Sequence, residues 1–177
     1  DVAAAARLTA SVGGMFALRV GSAEEVRTVP PDTPVHLIGD AHVNDAAAFA
    51  GAARERKVPL VVAVASPDEA AAVGGALAAQ GFRDFIFRIA AATVPDAVAQ
   101  LAELRRRALR GEGRTVGYPT LVDASGLSRD EERALAVAGI VRYGGIIVLG
   151  NTDPVEHLAL LTLRFNIYTD PQRPVAV

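Results

Sequence analysis

With 177 residues the chain has room for one domain with a sizeable core. Hydrophobic residues make up 51% of it and mean hydropathy is +0.28, yet no run reaches the roughly 18 to 20 apolar residues that span a bilayer, so a buried parallel α/β fold is expected and no membrane segment. A net charge of −2 with one short basic run, Arg105–Arg107, disfavours a nucleic-acid surface, and the absence of cysteine removes disulfides, thiolate zinc sites and any iron–sulfur cluster within this chain.

The opening lacks the basic and apolar regions of a signal peptide, which fits a cytoplasmic protein. It also lacks an initiating Met, so the 177 residues are expected to form a single domain cut from a larger multidomain protein.

In chain order, residues 2–12 are alanine-rich and read as a helix that stops at Gly13-Gly14. Met15–Val20 reads as a short buried strand. Ser22 and Glu25 have the spacing of a capping box, which starts the next helix. Pro34–Gly39 reads as a second strand, followed by a polar loop from Asp40 to Asp45 and a helix over Ala46–Lys57.

Pro59–Ala65 is a continuous apolar strand. Ser66, Pro67 and Glu69 then supply a cap, a first-turn proline and the acid of a second box. That helix runs to about Gln80 and closes at Gly81. Asp84–Ile89 is the fourth strand, and Pro95–Arg110 a helix ended by Gly111. Arg114–Val122 is read as the fifth strand. Ser128 and Glu131 start a helix that runs to Gly139, and Gly145–Leu149 is the sixth strand. Asp153, Pro154 and Glu156 open the last helix, Val155–Leu163, which passes into a polar segment with a turn at Asp170-Pro171.

Strand, loop, capped helix and glycine stop thus alternate about six times. That rhythm implies a parallel sheet with crossover helices. Two architectures fit: a TIM-type (β/α) barrel, partial at about six or seven βα units because eight close it, or an open doubly wound sheet. The sequence has no G-x-G-x-x-G and no P-loop. Gly74-Gly75 lies mid-helix and reads as close packing, not phosphate binding.

Parallel α/β proteins place function at the C-terminal ends of their strands. The candidates there are Ser22, Asp40, His42, Asn44, Ser66, Asp68, Arg88, Tyr118, Thr120, Asp123, Asn151 and Asp153. Helix capping explains Ser22, Ser66 and Asp153, and the helix dipole explains Asp68. Of the other eight, six are taken as candidate substrate-binding residues: Asp40, His42, Asn44, Tyr118, Asp123 and Asn151. Asp40-x-His42 is the most chemical pair, suited to acid–base work, but it lacks a third ligand, so no metal site is assigned. His36 reads as a packing histidine within a strand. Nucleophile motifs are absent, and the catalytic residues stay unknown.

Three stretches are distinctive. Leu104-Arg105-Arg106-Arg107 precedes Gly117-Tyr118-Pro119-Thr120; Arg142-Tyr143-Gly144-Gly145 enters Ile146-Ile147-Val148-Leu149; and Leu160-Leu161-Thr162-Leu163-Arg164 leads to Asn166-Ile167-Tyr168-Thr169-Asp170-Pro171-Gln172-Arg173-Pro174. In order and spacing, residues 100–177 resemble the barrel domain of the large (gamma) subunit of the corrinoid/iron–sulfur protein, from the acetyl-CoA decarbonylase/synthase system. Phe165 departs from the polar residue, usually Gln, expected there. The cysteine-rich cluster domain and the corrinoid-binding domain of that family are not in this sequence.

The resemblance implies a scaffold or binding domain in one-carbon metabolism and carbon fixation. The family moves a methyl group between a methyl-pterin and acetyl-CoA synthase on a cobalt corrinoid, a cobalamin. That cofactor is implied to bind mostly outside this chain. The implied partners are a homologous small-subunit barrel, a corrinoid-binding domain and a methyltransferase. The alternative is a free-standing pterin-dependent methyltransferase. It requires Asp40, Asn44, Asp123 and Asn151 to converge on one pocket of roughly 300 Å³ or more.

Overall fold

A computed structural model describes residues 2–91 and 93–168 of the chain. Six strands, β1 (Ala17–Arg19), β2 (Leu37–His42), β3 (Leu60–Val64), β4 (Phe85–Ile89), β5 (Thr120–Asp123) and β6 (Ile146–Val148), form one sheet in the order β1-β2-β3-β4-β5-β6. Every pairing is parallel. Strands that neighbour in sequence also neighbour in space, so the sheet winds in one direction only. A doubly wound sheet reverses its order at a switch point. The sequential order therefore excludes that alternative, and the sheet curls into a half-barrel.

The helices between the strands are α1 (Val2–Ser11), α2 (Ala23–Thr28), α3 (Ala46–Arg56), α4 (Pro67–Ala79), α5 (Val94–Arg107), α6 (Gly113–Val116), α7 (Arg129–Val141) and α8 (Pro154–Tyr168). Leu60, Val62 and Val64 of β3 and Phe85, Phe87 and Ile89 of β4 form one core with Phe49, Val73, Leu77, Leu101 and Leu104 of α3 to α5. Each such side chain contributes about 1.5–3 kcal/mol on full burial. The alternate residues, Val61, Ala63, Ile86, Arg88, Leu121 and Asp123, line the concave face.

Helix starts match the sequence. The hydroxyls of Ser22, Ser66 and Thr93 accept the amides of Glu25, Glu69 and Asp96, each at 3.2 Å. The Glu131 carboxylate accepts the Ser128 amide and hydroxyl, and Asp153 Oδ1 accepts the Val155 amide at 2.9 Å. Gly81 takes φ +72° just beyond α4, while the Phe82 amide returns to the Leu77 carbonyl.

Several boundaries differ from the sequence reading. β1 keeps only Ala17–Arg19, leaving Met15 exposed. β2 starts later and runs further, so Asp40 and His42 belong to a strand and not to a loop, and His36 precedes it. Residues 113–116 form a helix instead of the start of β5, because the π-helical turn Ala108–Glu112 that follows α5 kinks at Gly111, φ +116°, and Pro119 delays pairing. Gly139 does not stop α7; it lies inside the helix, where any Cβ would press on Ile147 and Val122. α8 continues past Leu163 to Tyr168, since no glycine or proline interrupts it. The turn at Asp170-Pro171 lies outside the described residues.

Candidate functional site

The C-terminal rim of the concave face is organised by Asp40. Between Ile38↔Leu60 and Ala41↔Val62 the β2–β3 register gains one residue, a bulge that sets Gly39 and Asp40 together opposite Val61. The bulge keeps Ile38 and Ala41 in the core while aiming Asp40 at its neighbours. Arg88 Nε donates to Asp40 Oδ1 at 2.7 Å, and Arg19 Nη2 lies 3.2 Å from Asp40 Oδ2. Side-chain exposure is 10% for Asp40, 20% for Arg88 and 70% for Arg19. Both carboxylate oxygens are thus committed, and the half-buried charge is paired as burial requires. His42 is exposed at the end of β2, level with Ala63 and, one strand further, Arg88.

The other candidates separate. Asp123 Oδ1 accepts the Ser125 amide at 3.1 Å and the Ser125 hydroxyl at 2.6 Å, closing its own loop. Asn151 is braced by Glu132 of α7, a residue only 4% exposed. The Glu132 carboxylate accepts the Gly150 amide at 2.7 Å, the Asn151 amide at 3.3 Å and the Asn151 side-chain amide. The Gly150 hydrogen bond is the main cause that holds the Glu132 carboxyl below its ordinary pKa. Asn151 Oδ1 in turn accepts the Asp153 amide at 3.0 Å. Asn44 is exposed beyond β2.

Tyr118 lies at the N-terminal entrance of β5, the opposite end from the rim, because that strand begins only at Thr120. Its ring centroid sits 3.8 Å from Phe85 and 5.8 Å, edge-on, from Phe87. Its hydroxyl reaches the Arg114 carbonyl at 3.5 Å, the outer limit of a hydrogen bond. It is a packing residue there.

A cavity of about 440 Å³ is lined by Gly126, Leu127, Arg129, Glu132, Gly150, Asn151 and Asp153. It includes Asn151 but not Asp40, Asn44 or Asp123. A second, apolar cavity of about 360 Å³ lies between β6, α7 and α8, against Ile140, Ile146, Leu160 and Arg164. Arg19 and Glu132 escaped the sequence reading. Arg88 left the clearer trace, as a lone charge in the apolar run Phe85-Ile86-Phe87-Arg88-Ile89.

Two solved structures share the fold. Dihydropteroate synthase of Yersinia pestis aligns with a TM-score of 0.69 at 14% identity, covering 94% of this chain and 72% of that one. The enzyme of Thermus thermophilus gives 0.64 at 13%, covering 86% and 71%. Among curated proteins, the corrinoid/iron-sulfur protein large subunit of Moorella thermoacetica is 32% identical over 131 residues, 73% of this chain and 29% of that protein. The acetyl-CoA decarbonylase/synthase complex subunit gamma of Archaeoglobus fulgidus is 33% identical over 87 residues, 44% of this chain and 18% of that protein. The chain therefore spans less than a third of the length of these relatives. The model of the CO dehydrogenase/acetyl-CoA synthase delta subunit family matches residues 32–177, and with more than half its length inside that match the chain belongs to this family.

Proposed function

We propose that this half-barrel is the scaffold domain of a corrinoid-dependent methyl carrier in acetyl-CoA synthesis and cleavage. The carrier moves a methyl group between a methyl-pterin and acetyl-CoA synthase. The observation that carries the reading is the commitment of the rim: Asp40 to two arginines, Asp123 to Ser125 and Asn151 to Glu132. A pterin ring needs free acceptors for its N–H edge; Asp40 already accepts on both oxygens, Asp123 on Oδ1, and Asn151 Oδ1 accepts the Asp153 amide.

The described residues do not fit a corrinoid by themselves. Five cavities among the described residues run from about 100 to 540 Å³, none above the lower half of the roughly 300–1,000 Å³ that hold drug-sized ligands, and the macrocycle is larger. Of the three histidines, His36 accepts the Phe16 amide on Nδ1 at 3.1 Å and His157 Nε2 meets the Asn151 carbonyl at 3.0 Å, so neither offers that nitrogen to cobalt, and His42 is exposed on the rim. The cofactor belongs on a neighbouring domain, with this barrel fixing its position and meeting a homologous small-subunit barrel and the methyltransferase. The setting is cytoplasmic. Among the described residues no helix is long and apolar enough to cross a membrane.

The test uses folded protein, checked by circular dichroism. It is dialysed to equilibrium against hydroxocobalamin, then assayed for methyl transfer from methyltetrahydrofolate to cob(I)alamin held reduced by titanium citrate. Neither retention at micromolar concentration nor methylcobalamin formation is expected. Transfer would replace the scaffold reading with the free-standing methyltransferase. Retention alone would move the corrinoid site onto this barrel.

A further inference from the structure

We propose that the concave rim around Asp40 binds an oxyanion, the carboxylate or phosphate of a small molecule, through Arg88, Arg19 and His42. This goes beyond the scaffold reading, which concerns the acceptors of the rim; the inference concerns its donors. A guanidinium is a fork of N–H donors with no acceptor. Among the described residues, Arg88 donates through Nε to Asp40, leaving both Nη groups without a protein acceptor on a side chain only 20% exposed. Arg19 reaches Asp40 through one Nη at 3.2 Å and is otherwise turned to solvent. Asp40 thus orients two forks and neutralises one of them.

The surroundings suit an anion. His42, Ala63 and Arg88 lie at one level across three adjacent strands, with Ala63, the shortest side chain of β3, between the other two. Asp123, on the same face of β5, accepts from Ser125 and not from an arginine. The cluster stands at the C-terminal end of a parallel sheet, where barrel folds bind ligands. Paired guanidiniums suit carboxylate and phosphate, which accept two parallel N–H bonds.

Inorganic phosphate and acetate are titrated calorimetrically into the folded protein at constant ionic strength, with sodium chloride as the reference. Saturable binding of one or both, at dissociation constants of order 1 mM, is expected. A response to phosphate alone assigns a phosphate ester, and a response to acetate assigns a carboxylate. Arg19→Ala, at an exposed position, weakens that binding at least about fivefold by removing one fork. Arg19→Gln serves if the alanine variant does not fold. No saturable response, a chloride response of equal size, or unchanged affinity in the Arg19 variant overturns the assignment.

Discussion

Gly74 and Gly75 are adjacent in α4, and the structure predicts opposite outcomes for the same substitution. A Cβ at Gly74 would come well under 3.0 Å from the Thr115 carbonyl oxygen of α6 and 3.2 Å from Phe87 Cζ. At Gly75 the nearest atom outside the helix is Thr115 Cγ2 at 3.8 Å, an ordinary contact. Alanine in a helix interior is favoured over glycine by about 1 kcal/mol. Gly75→Ala keeps that gain. Gly74→Ala meets a backbone oxygen that cannot rotate aside, so α4 and α6 must separate, and overpacking of this kind costs about 3 kcal/mol, the upper part of its usual range. The net loss is about 2 kcal/mol. For a domain of this size each kcal/mol moves Tm by about 2–4 °C, so Gly74→Ala melts about 4–8 °C below the parent and Gly75→Ala about 2–4 °C above it. Thermal and urea melts followed by circular dichroism measure both. Equal shifts of the two variants, or a stable Gly74→Ala, would refute the close approach of α6 to α4.

The Asp40 cluster makes a second paired prediction. Asp40→Ala leaves Arg88 half-buried without its carboxylate and costs about 3 kcal/mol, whereas Arg19→Ala costs under about 1 kcal/mol because its pair is exposed. Similar urea midpoints for the two variants would contradict this ranking. Tyr118→Phe is expected to cost less than about 1 kcal/mol, since its hydroxyl bond is long, while Tyr118→Ala costs about 2 kcal/mol or more from the ring stack on Phe85. A large effect of Tyr118→Phe on stability would reverse the assignment of packing to the ring. Glu132 governs an acid-dependent term. Its folded pKa is depressed, so the stability it supplies is present above the ordinary value of 4.5 and lost as pH falls through the lower folded value. Glu132→Gln should therefore flatten the stability profile below about pH 4.5 and speed hydrogen exchange at Gly150 and Asn151. An unchanged acid slope would show that the carboxylate bonds are not formed in solution.

The alternation of elements was legible because its causes are local. Ser22, Ser66 and Ser128 each carry a glutamate three residues on; the first two accept that glutamate's amide, and Ser128 closes the full box with Glu131. Gly81 marks a helix end because a positive φ is needed there. Gly139 resembles a helix stop locally, but its missing side chain serves the approach of Ile147, a contact with a strand that follows later in the chain. α8 outruns the polar residues that suggest its end, because polarity alone places no constraint on the backbone. Asp40 and His42 looked like loop residues because a polar pair in an apolar chain suggests solvent. The bulge that brings them into β2 depends on pairing with β3, and local sequence does not encode it. The candidates were found as residues but not as a site, since Arg19, the partner of Asp40, comes from another strand and Glu132, the partner of Asn151, from a helix.

The chain by itself determined the βα rhythm, the helix caps, the parallel class and, through the motifs of residues 100–174, the family later matched over residues 32–177. These rest on propensities and caps that act within a few residues, and on side-chain order along the chain. Only the tertiary structure decided between a barrel and a doubly wound sheet, because crossover direction is a relation between whole units. It alone decided that Tyr118 lies at the far end from the rim and that Asp40 joins Arg19 to Arg88, three strands further along the sequence. Ion pairs across strands form only after the sheet has set its register, and a register is fixed by the burial of every core side chain together.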